Sequence, residues 1–140
     1  MGGDIRSQEN PVPRILVVDD DPAVRQLIRD VLECEGHVVE VVGDGYAAIR
    51  SIEASRPDCV VLDVMMPGMD GHAVLGRIRA NDTRPPLPVV MLTAAADDAQ
   101  AWQAWSGGVD YFLAKPFDPA ELLRYLDHLF DGGPRQALTG

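Results

Sequence analysis

Five polar residues each close a short apolar run. Asp19 and Asp20 follow ILVV, Asp63 follows CVVL, Thr93 follows VVML and Lys115 follows YFLA. A carboxylate at the end of a buried strand is a placed group, because burying it without a partner is costly. Two carboxylates about 4 Å apart at an effective dielectric near 20 repel by about 4 kcal/mol. Such a pair must share a proton, pair with a cation or bind a metal. One lysine cannot neutralise three aspartates, whereas a hard divalent cation can. Mg²⁺ is typically held by one or two carboxylates together with phosphate oxygens and water. Thr93 and Lys115 then remain to hold a phosphoryl group, and an aspartate can itself be the nucleophile, giving an acyl phosphate. In phosphoryl transfer the protein mainly positions groups and stabilises charge.

That chemistry requires elements that bring residues 19, 20, 63, 93 and 115 together. The apolar runs Ile15–Val18, Val38–Val42, Cys59–Leu62, Val89–Leu92 and Val109–Ala114 read as strands. Between them lie helical patterns. The first opens with Asp21 and Pro22 as cap and first turn, carries Val24, Leu27, Ile28, Val31 and Leu32 as one buried stripe, and closes at Gly36. Asp44 and Gly45 lead into a helix with Ala48, Ile49 and Ile52 inward. Val74, Leu75 and Ile78 mark a third helix, 97–106 a weaker fourth, and Asp118-Pro119 opens a fifth with Leu122, Leu123, Leu126, Leu129 and Phe130 inward. Five alternations of strand and helix predict an α/β fold, a doubly wound parallel sheet with helices on both faces. Ligands bind such sheets beyond the carboxyl ends of the strands. The first, third, fourth and fifth strands end in reactive groups there. The second ends in none, and Glu40 within it suggests an edge.

Composition narrows the function classes. A length of 140 residues fits one domain, with 46% hydrophobic and 24% charged residues as in ordinary globular proteins. The expected organisation is a leader over 1–13, one domain over 14–131 and a loose tail or linker stub over 132–140. A formal net charge of −10 argues against direct binding to nucleic acid or an anionic membrane. There is neither a signal-peptide pattern nor an apolar run near membrane-spanning length, so a cytoplasmic location is expected. Cys34 and Cys59 read as reduced, core-type residues. His37, His72 and His128 lack metal-ligand spacing.

The motifs ILVVDDD at 15–21, VVLDVMMPGMDG at 60–71, VVMLTA at 89–94 and YFLAKPF at 111–117, in that order, resemble those of a two-component response-regulator receiver domain. The resemblance implies a flavodoxin-like (βα)5 fold with strand order 2-1-3-4-5. It implies Asp63 as phosphoacceptor, and Mg²⁺ held by Asp20, Asp63 and the backbone carbonyl of Met65, with Asp19 acting through water. Lys115 would pair with the phosphoryl oxygens. Thr93 would hydrogen-bond the phosphoryl group, and Phe112 would follow it inward as the switch aromatic, in a place where many receivers carry Tyr. Tyr111, next to it, points to the other face of its strand. The partner implied is a histidine kinase or histidine phosphotransfer protein. The output surface would be the fourth helix, fifth strand and fifth helix, including Trp102, Trp105, Tyr111 and Tyr125.

Two details bear on lifetime and assembly. The resemblance implies that Met65 and Ala95, two residues beyond Asp63 and Thr93, flank the phosphoryl group; neither can orient a water by hydrogen bonding, so a slowly hydrolysing acyl phosphate is expected. The fourth helix offers Ala99, Ala101 and Ala104 and no Lys or Arg. A homodimer there is expected to use an apolar contact through Trp102 or Trp105 rather than opposed charges. The expectation is a switch, not an enzyme, its only reactions being self-phosphorylation and self-dephosphorylation. A Mg²⁺-dependent phosphatase with an Asp nucleophile would carry a second acid at Met65. A binding module that is never phosphorylated would not need the full set of Asp19, Asp20, Asp63, Thr93 and Lys115.

Overall fold

The computed structural model describes residues 12–81, 86–94 and 98–131, the side chains of residues 98–100 and of Trp102 excepted. The elements run β1 (Arg14–Val18), α1 (Pro22–Cys34), β2 (Val38–Val42), α2 (Gly45–Ala54), β3 (Cys59–Asp63), α3 (Gly71–Ala80), β4 (Val89–Thr93), α4 (Asp98–Ser106), β5 (Tyr111–Ala114) and α5 (Pro119–Phe130). All four strand pairings are parallel and the order is β2-β1-β3-β4-β5. This is the doubly wound α/β sheet expected. It places β2 at an edge and the reversal of strand order between β1 and β3.

Alternation along the strands builds two cores. Leu16, Val18, Leu62 and Met91 face one way and pack with Ala48, Val74, Leu75, Ile78 and Ala104 of α2, α3 and α4. Ile15, Val17, Val61, Val90 and Leu92 face the other way, against Ile28, Leu32, Leu122 and Leu126 of α1 and α5. β3 and β4 are buried at every position because both their faces are covered. Asp21, Asp44, Asp70 and Asp118 cap α1, α2, α3 and α5, each carboxylate accepting a backbone N–H at 2.8–2.9 Å. Among the described residues no helix is long and apolar enough to cross a membrane.

Three local readings are corrected. Leu27 is 49% exposed, because the helix face that meets the sheet is filled by Ile28 and Leu32, with Val24 packed beside them. Cys34 is exposed rather than core-type, at the helix end where the chain leaves the sheet, whereas Cys59 is buried and its thiol pushed far up by burial. β5 begins at Tyr111 rather than Val109, since Asp110 is engaged in a turn and accepts the Val89 N–H. The expected leader, apart from Val12 and Pro13, the expected tail 132–140, and residues 82–85 and 95–97 lie outside the described residues.

Candidate functional site

The sheet carries its reactive groups one residue past, or at, the ends of adjacent strands. Asp19 follows β1, Asp63 closes β3, Thr93 closes β4 and Lys115 follows β5. In register, Val18 pairs with Leu62, Asp63 with Leu92 and Thr93 with Ala114. Asp19, Asp63 and Thr93 are the buried polar residues of the described chain. They occupy one rim because parallel strands all point their carboxyl ends the same way.

Lys115 reaches across this rim. Its Nζ donates to Asp19 Oδ2 at 2.8 Å and lies 3.4 Å from Asp63 Oδ1. The Lys115–Pro116 peptide is cis. Carboxylate oxygens of Asp19, Asp20 and Asp63 lie within 4.8 Å of one another, with Asp20 exposed and the other two buried. Asp19 Oδ1 accepts the Asp21 N–H at 2.9 Å, and Asp63 Oδ1 accepts the Met65 N–H at 3.3 Å. The structure thus brings together Asp19, Asp20, Asp63 and Lys115. Thr93 lies on the same rim, fully buried.

Electrostatics follow from the imbalance of three carboxylates against one ammonium. Burial, and then repulsion from Asp19, push the Asp63 carboxyl up from 3.8 to about 6, against the opposing pull of Lys115. Burial works to lower the Lys115 ammonium, but the hydrogen bond to Asp19 and the charges of Asp63 and Asp19 outweigh it, so its pKa is raised and it stays protonated. With the aspartates ionised, the rim carries two negative charges in excess. All the donors are oxygens and one of the acids opens to solvent. That set suits a hard, oxygen-seeking divalent cation better than zinc or another soft metal.

The β3–α3 turn is shaped by a contact that sequence reading passed over. A Cβ on Gly71 would stand 2.4 Å from the Asp63 carbonyl oxygen and 2.8 Å from the Val64 Cα. Only glycine lets α3 start this close to the strand end, and its N–H donates to the Val64 carbonyl at 2.9 Å. The turn holds Met65 outward, with its side chain 55% exposed. A glycine directly after Asp70, the helix cap, was the available signal. Arg25 was also missed. It donates from Nη1 to the Asp19 carbonyl at 2.8 Å.

The residues expected on the output surface divide. Phe112 is half-buried and packs on the α2–α4 side, whereas Tyr111 packs on the α1–α5 side. Tyr111 stacks on Tyr125 at 4.3 Å between ring centroids and hydrogen-bonds His128 Nδ1 through its hydroxyl. The Tyr125 hydroxyl donates to Glu121 at 3.2 Å. Trp105 is 51% exposed on α4. The side chain of Trp102, and Ala95, lie outside the described residues.

Comparison with known proteins adds a consistent picture. The family model of the response regulator receiver domain matches residues 15–127. The DNA-binding response regulator MtrA of Mycolicibacterium smegmatis is 43% identical over 110 residues, which cover 79% of this chain and 47% of that protein. The transcriptional regulatory protein TcrA of Mycobacterium tuberculosis is 42% identical over 121 residues, covering 86% of this chain and 47% of that protein. The chain therefore spans about half the length of the curated relatives it matches. Among solved structures, the Francisella response regulator 1452 receiver domain superposes with a TM-score of 0.79 at 32% identity, covering 85% of this chain and 97% of that one. The receiver domain of the Pseudomonas aeruginosa sensor histidine kinase PA1611, with a magnesium ion coordinated in its active site cleft, gives 0.76 at 35% identity over 83% of this chain and 95% of that one.

Proposed function

Since this chain belongs to the response regulator receiver domain family, we propose that it is a phosphorylation-activated switch of a two-component phosphorelay, with Asp63 as its phosphoacceptor. The observation that carries this reading is the reach of Lys115 to both Asp19 and Asp63 across a rim that keeps an excess of negative charge. The donor is a phosphohistidine on a histidine kinase or phosphotransfer protein, or a small acyl phosphate. One Asp63 carboxylate oxygen forms the new bond to phosphorus, and the bond from phosphorus to the donor's nitrogen or oxygen breaks.

Asp20, Asp63 and the Met65 carbonyl would hold Mg²⁺, with Asp19 helping through water. The ion would supply charge neutralisation for the transferring phosphoryl oxygens. Lys115 stabilises the phosphoryl oxygens from the other side. Thr93 hydrogen-bonds the phosphoryl group, and Phe112 follows Thr93 inward, which alters the surface of α4, β5 and α5. Met65 carries no group that could orient water, in keeping with a long-lived acyl phosphate. No turnover of a separate substrate is part of the reading.

Trp105 supplies an apolar contact on α4 for a second copy or an output partner, with Tyr111 and Tyr125 on the neighbouring face. MtrA is by name a DNA-binding response regulator, and TcrA a transcriptional regulatory protein. A chain of net charge −10 is read as controlling such an output rather than contacting nucleic acid itself, and as working in the cytoplasm without a membrane contact.

Incubation with acetyl phosphate and Mg²⁺, followed by intact-mass spectrometry, tests this. One hydroxylamine-labile phosphoryl adduct should form in the wild type and none in Asp63→Asn. Sustained release of phosphate with no adduct would point to a phosphatase instead.

A further inference from the structure

The strand that ends in no reactive group is nevertheless wired to the acidic rim. β1 stops at Val18, so the backbone N–H and carbonyl of Asp19 lie past its last strand pairing. Its neighbours supply the missing partners. The Asp19 N–H donates to the carbonyl of Val42, the last residue of β2, at 3.2 Å. The Asp19 carbonyl accepts from Arg25 Nη1 of α1 at 2.8 Å. The next residue, Gly43, leaves the room this guanidinium occupies. A Cβ there would stand 2.9 Å from the same Nη1.

We infer that Arg25, seated in the space left by Gly43, is a positioning residue for cation binding at the acidic rim. A peptide unit is planar, so anchoring the Asp19 carbonyl sets the plane from which the Asp20 Cα departs. Asp19 and its outward neighbour Asp20 then stand at a defined angle to Asp63. The charge on Arg25 acts in the opposite sense, since a guanidinium near the rim repels an incoming cation. Positioning and charge thus predict opposite signs for the loss of Arg25. Supporting contacts around metal ligands commonly govern affinity tenfold or more.

This inference rests on the proposed binding of Mg²⁺ at the rim, and the experiment separates the two. MgCl₂ is titrated into the whole chain and the backbone amide shifts of Asp20 and Met65 are followed by NMR. Arg25→Ala is expected to bind Mg²⁺ about tenfold more weakly, and Arg25→Lys should recover part of the loss. Gly43→Ala retains the charge and displaces only the tip of a flexible side chain. It should weaken binding by itself and add nothing in the Arg25→Ala background.

Equal or tighter binding by Arg25→Ala would overturn the inference. So would a Gly43→Ala loss of the same size with and without Arg25. If Arg25→Ala does not fold, Gly43→Ala alone decides, weaker binding supporting the inference and unchanged binding overturning it. A wild type with no saturable Mg²⁺ response would remove the underlying reading and this inference with it.

Discussion

Two largely buried cations tie this fold together at opposite edges of its sheet, and they are solvated by the protein in different ways. At the amino edge, Arg79 of α3 donates from Nε and Nη2 to the Gly108 carbonyl at 2.9 and 2.8 Å, and from Nη1 to the Leu87 carbonyl at 2.7 Å. Among the described residues its carboxylate neighbour is Asp110 at 3.4 Å, which also accepts the Val89 N–H at 2.8 Å. Among these residues one charge meets one charge, and each nitrogen of the fork has an acceptor. At the carboxyl edge, Lys115 meets Asp19 and Asp63 with Asp20 beside them. The first arrangement is balanced and joins α3 to the starts of β4 and β5. The second leaves negative charge uncompensated, which a folded protein tolerates where the excess has a use.

The largest expected effect comes from breaking the balanced edge. Arg79→Ala takes the guanidinium away from Asp110 and from the Gly108 and Leu87 carbonyls, so it should destabilise the fold by about 3 kcal/mol in urea unfolding. Its Mg²⁺ affinity, measured below the transition, should match the wild type. A loss of Mg²⁺ binding in that variant would erase the distinction between the edges.

The unbalanced edge should respond the other way. Asp20→Asn removes a repelling charge, so the metal-free protein should be at least as stable as the wild type. Its stabilisation by Mg²⁺ should fall away, whereas the wild type should gain about 2.7 kcal/mol at a hundred times its dissociation constant. Thermal unfolding with EDTA or MgCl₂ reads both.

A smaller effect sharpens the same contrast through pH. The folded-state pKa of Asp63 is raised to about 6 from 3.8, so between these values the folded state holds more protons than the unfolded one. The contribution of Asp63 to stability therefore falls as pH rises from about 4 to 6 and stays unfavourable above that. In EDTA, Asp63→Asn should melt higher than the wild type at pH 8, and the difference should vanish as pH falls below 4. A difference that does not change with pH would mean that Asp63 is not perturbed by burial and Asp19. Least of all, Trp105→Ala should change monomer stability by no more than about 0.5 kcal/mol, because its side chain lies half in solvent. Any larger consequence should appear in self-association of the beryllofluoride-treated protein, read by sedimentation.

Much of this was legible before any coordinates. Short unbroken apolar runs bounded by turn residues set the strands, the Asp-Pro pairs at 21–22 and 118–119 marked two helix starts, and Glu40 marked the edge. The end residues of the strands then named the rim, because a parallel sheet leaves no choice about which ends lie together. Less was legible where a residue's role depends on what sits beyond its own element. Leu27 has the spacing of a buried stripe, yet only the placement of α1 on the sheet decides that it faces out. Arg25 and Arg79 look like ordinary helix-surface arginines. Their partners are backbone carbonyls, which every residue carries and which therefore leave no trace in residue type.

The sequence by itself determined the element order, the identity of the rim and its surplus of acid, since these depend on local pattern and on the chemistry of individual side chains. Only the tertiary structure decided which carboxylate the ammonium grips at 2.8 Å, that the end of β2 and Arg25 hold the Asp19 backbone, and that Gly71 must lack a side chain. Those are matters of tenths of an ångström between segments far apart in the chain, and they exist only once packing has brought the segments together.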